Sequence, residues 1–341
     1  MNPAHPIEIV GGGLAGLALG AALRRADVPV AVFEAGGYPR HRVCGEFLTG
    51  LDEATIARLH LAPLLADAPR HRTVAWCRHG APVRVQTLPS PAFGLSRHVL
   101  DARLAAEFVR LGGELHTHTR VTDGAAPAGR IFATGRRRGP PRWLGLKVHA
   151  HGLTLAADLE VHLGRGAYVG LSPVEEGAVN VCGLFRVRDD ARGDRSALLL
   201  AHLRAAGLAL LAERLGRTAL EEASFCAVAG LAFDRGPADA GRLVVGDAFA
   251  MIPPFTGNGM AMAFQSAALA LEPVAAYARG AGGWEETCRA VHARLRRRFR
   301  LRLASAGTLH AFLFSPRRQP WLTALNRARL LPLRPLYAAL H

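Results

Sequence analysis

The sequence predicts a chain of mixed class, α/β plus α+β. A parallel sheet is fed by helices from both ends of the chain, an antiparallel sheet lies between, and the C-terminal segment is helical. Three observations predict it. A strand, a glycine-rich turn, a helix and a second strand follow one another over residues 7–34. Four short β-like runs joined by tight turns fill residues 143–185. A late strand, Leu243-Val244-Val245, leads through Gly246-Asp247 towards two long helical stretches. The chain has 341 residues, of which 50% are hydrophobic and 20% charged, so it can build a large core and is not intrinsically disordered. At roughly 150 residues per domain, the length suggests about two domains.

Ile7 to Val10 is a short apolar, β-branched run and reads as the first strand. It meets glycines, then a helical stretch to Arg25, then a second buried strand from Val28 to Phe33 that ends at Glu34. A polar loop with Pro39, Arg40, His41, Arg42, Cys44 and Gly45 follows. Thr73 to Cys77 and Val83 to Leu88 alternate as the two strands of a hairpin. Arg97 to Leu111 has helical periodicity and Glu114 to Val121 reads as a strand. Trp143–His149, Leu155–Leu163, Ala167–Leu171 and Val179–Phe185 form the antiparallel run. Asp194 to Gly216 is helical, as two helices, and so are Gly259–Arg279 and Trp284–Ala306. The tail carries Pro316, Pro320, Pro332 and Pro335 and reads as irregular or as short helices. There is no internal repeat.

The net charge is +15, and Lys147 is the only lysine. Arginine in every other basic position is the usage of a GC-biased genome, so the charge is read as compositional and no nucleic-acid partner is expected. Two basic stretches leave other partners open. Arg130, Arg136, Arg137, Arg138, Arg142 and Lys147 form either a solvated face or an attraction for NADPH phosphates or an acidic carrier protein. Arg294, Arg296, Arg297, Arg298, Arg300 and Arg302 interleave with Leu295, Phe299, Leu301 and Leu303, as an ordinary amphipathic helix or a membrane-surface one. Five cysteines, odd in number, widely spaced and without a CxxC, argue against a disulfide framework or a structural zinc and for a reducing, cytoplasmic compartment. His116-x-His118 and His149-x-His151 lack signalled further ligands, and no metal is expected. The apolar stretch 9–23 is short and glycine-rich, and 260–278 carries Gln265, Glu272 and Pro273, so neither reads as a membrane span.

The first motif is Gly11-x-Gly13-x-x-Gly16, between a strand and a helix. Gly11 permits the tight turn, Gly13 lets backbone approach a pyrophosphate, and Gly16 allows close packing of the helix. The free N–H groups of the first helical turn, at Leu14 and Ala15, and the positive end of the helix then face the phosphates. Glu34, roughly 20 residues on at the end of the second strand, accepts from ribose hydroxyls. Strand, helix and acid together make a Rossmann-like dinucleotide site. The second motif, Val245-Gly246-Asp247-Ala248 with Pro253-Pro254-Phe255-Thr256-Gly257-Asn258-Gly259-Met260, ends the late strand and opens the next helix.

With both motifs in hand, the chain resembles the FAD-dependent oxidoreductases of the aromatic-hydroxylase superfamily, which also holds geranylgeranyl reductases and flavin halogenases. The resemblance covers most of residues 1–280. It implies non-covalent FAD, with Asp247 of Gly246-Asp247 bonding the ribityl chain. Pro254, Gly257, Asn258, Gly259 and Met260 would lie under the isoalloxazine, where the helix start stabilises negative charge on reduced flavin. Arg42-Val43-Cys44-Gly45-Glu46 is similar to the Cys-Gly loop of the geranylgeranyl-reductase branch, which passes beside the flavin. Arg97, after Ser96, is similar to the arginine that reaches FAD, and Val121 is placed with the cofactor contacts. The chain also departs from the family. Ile131-Phe132-Ala133-Thr134-Gly135-Arg136 has Thr134 where the hydroxylases carry Asp, and the strand meander between Val121 and Ile131 is nearly absent. The halogenase tryptophan motif and its catalytic lysine have no match.

The expected organisation is a FAD-binding unit in three parts (1–72, 94–142 and 236–280), a substrate-sheet hairpin at 73–93, a substrate domain at 143–235 and a C-terminal helical segment at 281–341. Trp76, Tyr168 and Leu171, with Val169, Val181 and Leu184, are expected to line the substrate face, whose apolar character suits a hydrophobic, aromatic or polyketide-like compound. The resemblance implies an NAD(P)H- and O2-dependent monooxygenase. A FAD-dependent reductase of isoprenoid double bonds and a redox-inactive FAD-binding protein stay open as alternatives. No catalytic residue is named, because flavin chemistry needs a dry pocket rather than a protein nucleophile.

Overall fold

The computed structural model describes residues 5–315 except 79, 123–125, 137–138, 141, 189 and 234–241, together with 318, 324, 337, 338 and 340. Strand β1 (Ile7–Val10) enters the glycine turn and helix α1 (Leu14–Arg25), whose residues 14–23 are all buried, before β2 (Val30–Phe33). Two short elements follow, β3 (Phe47–Leu48) and α2 (Glu53–Arg58), the latter capped by the Asp52 carboxylate on the Thr55 amide. The long hairpin β4 (Arg70–Arg78) and β5 (Ala81–Gly94) precedes α3 (Arg97–Arg110), which Ser96 caps through the Val99 amide. Then come β6 (Glu114–His116), β7 (Arg130–Phe132), β8 (Trp143–His151), β9 (Leu159–Gly164), β10 (Ala167–Pro173) and β11 (Val179–Arg186). Helices α4 (Arg195–Ala205) and α5 (Ala209–Gly216) lead to β12 (Ala219–Ala229), β13 (Leu243–Val244), α6 (Gly259–Ala278) and α7 (Trp284–Leu313).

Five strands form a parallel sheet in the order β13-β7-β1-β2-β6. Parallel strands need crossovers, and α1 supplies the one between β1 and β2. It packs between α3 and α6 over a core that includes Leu17, Leu23, Val32, Phe108 and Phe264. The second sheet is mixed, with eight strands in the order β12-β8-β11-β10-β9-β4-β5-β3. Register fixes which residues share its faces. One face carries Leu146, Val148, Val169, Leu171, Val181 and Phe185 and is covered by α4 and α5. The opposite face turns towards the Cys44 loop and the turn before α6.

The β4–β5 hairpin and an antiparallel run of β8, β9, β10 and β11 match the sequence-based expectation, but the run is not sequential: β8 pairs with β11 rather than with β9, and β9 lies parallel to β4. Three elements differ. The strand expected over 114–121 stops at His116, because His118 and Thr119 turn their amides to the carbonyls of Gly36 and Glu34. α7 runs on to Leu313. The eleven-residue β12 had no strand signal, because Ala219-Leu220-Glu221-Glu222-Ala223 is helix-like in composition; pairing with β8 overrides that, with a register break between Glu221 and Cys226. Parts of the shortened link before β7 and most of the proline-bearing tail lie outside the described residues, as do Arg137 and Arg138.

Candidate functional site

The glycine turn is built by exclusion. Gly11 has φ +112°, and a Cβ on it would stand 2.3 Å from the Ala133 carbonyl oxygen at the end of β7. A Cβ on Gly16 would stand 2.0 Å from the Gly11 oxygen, so α1 can start against the turn only if residue 16 lacks a side chain. Gly13, the N-cap of α1, is different: the nearest atom to its Cβ position is an Arg97 guanidinium nitrogen at 3.9 Å, and no side chain caps the helix. The first-turn amides of Leu14, Ala15 and Gly16 therefore have no capping side chain at the positive end of a twelve-residue helix. Thr134, where the hydroxylases carry Asp, stands beside this turn, its amide 2.9 Å from the Gly11 Cβ position.

Glu34 closes one side. Its carboxylate accepts from the amides of Gly12 (2.9 Å) and Gly36 (2.9 Å) and from Arg40 (2.7 Å), with Arg42 at 3.8 Å. Burial pushes this carboxyl up, but the Gly36 amide, Arg40, Arg42 and the Gly12 amide together outweigh it and hold it below its ordinary value. Tyr38 donates its hydroxyl to the Gly12 carbonyl. Arg42 donates to Asp101 (3.0 Å), while its buried Nη2 makes no hydrogen bond among the described residues. Arg97 forms a fork on the same Asp101 (2.7 and 2.8 Å), which aims its guanidinium at Gly13. Val121 is half-buried in the loop after β6 rather than on the strand expected over 114–121.

The second motif sits against the first. Gly246 has φ +63°, its amide donates to Ser266, and a Cβ on it would stand 2.9 Å from the Ala15 Cβ. This contact joins the two motifs across more than two hundred residues of chain. Asp247 follows, with Arg97 and Arg136 as its nearest charges; burial raises its carboxyl above the ordinary value, against the pull of those two cations. After Pro254, Gly257 takes φ +70° with its Cβ position 2.7 Å from the Phe47 ring, and buried Asn258 caps α6 by position. Among the described residues nothing stands within 4 Å of a Cβ on Gly259, at the start of this twenty-residue helix, with Met260 buried behind it. Gly45 is equally clear of neighbours.

The face of the second sheet turned to this cradle carries a row across five strands: Lys147, Cys182, Gly170, Val161 and Trp76. The last four are half-buried. The Trp76 indole is tied to Gln86 at 3.0 Å. Tyr168 and Leu184 occupy the next row and pack with Leu231, Leu313 and Phe314, and Tyr168 meets Phe255 edge-on at 5.9 Å. Leu171, with Val169 and Val181, points the other way, into the core under α4 and α5; a period-2 strand puts it opposite Tyr168, and it does not line this face.

Sequence reasoning missed the polar heart of the site. Lys147 and Glu46 are both fully buried, with Nζ to Oε1 at 3.4 Å. Glu46 also accepts from His149 (2.7 Å) and from the Arg97 amide (3.0 Å), and Lys147 contacts His41 Nδ1 at 3.0 Å. Asn180 donates to the Cys44 carbonyl at 3.0 Å, tying the loop to the sheet. Burial pushes the Cys44 thiol up, so it is protonated at neutral pH. The signals were present in one sole lysine and in an acid next to the Cys-Gly pair, but nothing in one dimension brings residues 46, 147 and 149 together.

Two half-buried imidazoles, His41 here and His310 near the end of α7, give the fold a pH signature. His41 is pushed down to about 4 by burial and by Lys147, and His310 to about 4 by burial and by Arg186. Both are neutral when folded but take a proton near pH 6.5 when unfolded, so the stability tied to their neutral forms is complete above pH 6.5 and declines as pH falls towards 4. The urea midpoint is expected to drop between pH 6.5 and 5, a range in which Glu34, Glu46 and Glu160 stay charged in the fold. His310→Phe should flatten that decline; an unchanged slope would refute the assignment.

The comparisons with known proteins agree with this geometry. Residues 9–46 match the model of the NAD(P)-binding Rossmann-like domain. A menaquinone reductase of Mycolicibacterium smegmatis is 31% identical over 127 residues, 36% of this chain and 31% of that protein. One from Mycobacterium tuberculosis is 34% identical over 102 residues, 29% and 25% respectively. The matched stretches thus span about a third or less of these relatives' length. Solved structures align over nearly the whole chain. PqsL of P. aeruginosa, in complex with 2-aminobenzoylacetate, has TM-score 0.74 at 15% identity, over 98% of this chain and 100% of its own. The flavin-dependent brominase Bmp2 has TM-score 0.76 at 17% identity, over 98% and 93%. Among the described residues, no helix is long and apolar enough to cross a membrane. The chain thus shares its fold with these two solved proteins over nearly its whole length, and the Rossmann-like match falls on its first glycine motif and Glu34.

Proposed function

We propose that this protein is an FAD-dependent oxidoreductase of a hydrophobic small molecule. The observation that carries the reading is the pair of uncapped helix starts, α1 and α6, brought together where Gly246 seats on Ala15. The residues fit an extended dinucleotide. The α1 amides with Arg97 suit the pyrophosphate, Glu34 the adenosine ribose, Asp247 the ribityl hydroxyls, and the α6 start with Gly45 the edges of the ring system. When bound, FAD supplies hydride transfer and oxygen chemistry that side chains lack. The chain contributes binding, orientation and dryness, the last through Tyr168, Leu184, Phe255 and Phe314. Covalent attachment has no support, so acid should release free FAD from a yellow protein. Asp247→Ala removes an acceptor worth about 1.5–3 kcal/mol and should weaken FAD binding roughly 10- to 150-fold, with Glu34→Ala similar. Full flavin occupancy of both variants at low FAD would overturn the assignment.

The finer reading is monooxygenation with NAD(P)H and O2 on an aromatic or polyketide-like substrate. It is supported by the proline turn 253–257, whose Phe255 packs on Tyr168 of the substrate sheet. A second reading, reduction of an isoprenoid-type double bond, is favoured by the Cys44-Gly45 loop and by the curated relatives' name. Turnover with NADPH under 18O2 separates them. A monooxygenase puts one labelled oxygen into product and stops under argon, whereas a reductase gives unlabelled product in both atmospheres.

A further inference from the structure

A buried ion pair is a costly feature for a protein to keep, because an apolar pair of similar volume often serves stability as well or better. Lys147 and Glu46 keep one at 0% exposure. Glu46 also sits at φ +52°, a left-handed conformation that a residue with a Cβ adopts only when its surroundings enforce it. The choice of cation is informative. Every basic residue but one among the 42 is arginine, and the exception is here. Arginine stays charged at any pH a protein meets, whereas a lysine ammonium can release a proton.

The partners form a continuous polar chain with two half-open ends. At one end, Glu221 lies 3.4 Å from His149 Nδ1 and 3.9 Å from His151, both acid and outer histidine being well exposed. The chain then passes through His149 (2.7 Å to Glu46), Glu46 and Lys147 to His41. At the other end, His41 stacks on His98 at 4.3 Å, and these two are the sequence neighbours of Arg42 and Arg97, which flank the cofactor cradle. The groups facing Lys147 from the loop, β11 and β12 are Cys44, Cys182 and Cys226; burial pushes all three thiols up, so none competes as an anion. His41, Glu46 and His149 also bring three metal-type ligand atoms within 4.8 Å of one another. The ammonium beside two of them puts positive charge where a cation would have to sit, so the cluster is read as a proton path.

We propose that Glu221, His149, Glu46, Lys147 and His41 carry protons from solvent to the cofactor cradle and supply the proton consumed with each hydride. The inference rests on the flavin reading above. In reduction of a quinone to its hydroquinone, the quinone takes a hydride, two electrons with one hydrogen nucleus, from reduced flavin and one proton from the protein. The flavin is left oxidised, and water at Glu221 restores the proton to the chain. Lys147 acts through His41, so it positions and stores the proton rather than touching substrate.

The test uses menadione as the hydride acceptor and FAD-loaded enzyme, photoreduced under argon, with flavin reoxidation followed by absorbance in H2O and D2O. Lys147→Arg keeps the charge opposite Glu46 but cannot release a proton. It should bind FAD as the parent does, yet reoxidise about 100-fold more slowly and lose the solvent isotope effect. The paired variant E46Q with K147M, which removes the buried charges together, should be equally slow. A second measurement needs no turnover. Protein labelled with 13C at lysine Cε gives a single lysine line, and it should move on Glu46→Gln, with or without FAD, and again on flavin reduction. Reoxidation of the arginine variant at the parent rate overturns this inference alone, as does a lysine line indifferent to both changes. A protein that takes up no FAD overturns the flavin reading and this inference with it.

Discussion

Replacing Glu46 by Gln is expected to cost about 3–5 kcal/mol of folding stability, read as a lower urea midpoint at pH 7. Glutamine keeps an oxygen for the Arg97 amide or for His149, so the hydrogen-bond geometry survives. What it removes is the charge opposite an ammonium that solvent cannot reach. Adding Lys147→Met to the same protein should recover most of the loss, because the orphaned cation goes with it. A cost under about 1 kcal/mol for Glu46→Gln, or strict additivity of the two changes, would show that the pair is not coupled.

The second large effect is expected at Gly16. Alanine there would press its methyl onto the Gly11 carbonyl oxygen at 2.0 Å, and because that oxygen is backbone the clash can be relieved only by shifting α1 or the turn. Overpacking of this kind costs about 1–3 kcal/mol or more, and the displaced first turn should lose FAD. Gly259→Ala makes the contrast. Its Cβ meets nothing within 4 Å, and alanine in a helix is about 1 kcal/mol better than glycine, so stability should hold or rise. Flavin affinity should still fall, because the methyl enters the open space at the start of α6. Loss of stability without loss of FAD at Gly16, or unchanged affinity at Gly259, would refute the cradle as described.

Much of this was legible in the sequence, for identifiable reasons. The glycine turn, Glu34 and the Gly246-Asp247 motif are local patterns in which each residue type answers a backbone demand nearby, such as φ +112° at Gly11 or the close approach at Gly16. The antiparallel strands announced themselves by period and turns. β12 did not, because a neighbour's edge rather than its own composition makes it a strand. Leu171 was assigned to the wrong face, since alternation along β10 gives two faces and cannot say which one meets the cradle. The Glu46–Lys147–His149 network was invisible because its distances are properties of the fold. In one dimension Glu46 is the end of a loop, and Lys147 is the sole lysine and the last member of a basic run.

The order in which the parallel sheet is assembled bears on synthesis. Its strands run β13-β7-β1-β2-β6, so the outer neighbour of β7 is not made until residue 244, and the seat of Gly246 on Ala15 comes later still. A chain emerging from the ribosome therefore holds β7 without β13, and α1 without α6, through most of its later synthesis, and contacts of such long sequence separation form slowly. A release at residue 235 should leave an aggregation-prone product that takes up no flavin, and co-expressing residues 236–341 in trans should restore some of it. Nascent-chain lengths short of about 290, allowing roughly 30 residues for the exit tunnel, should resist cofactor capture, and longer ones should acquire it abruptly.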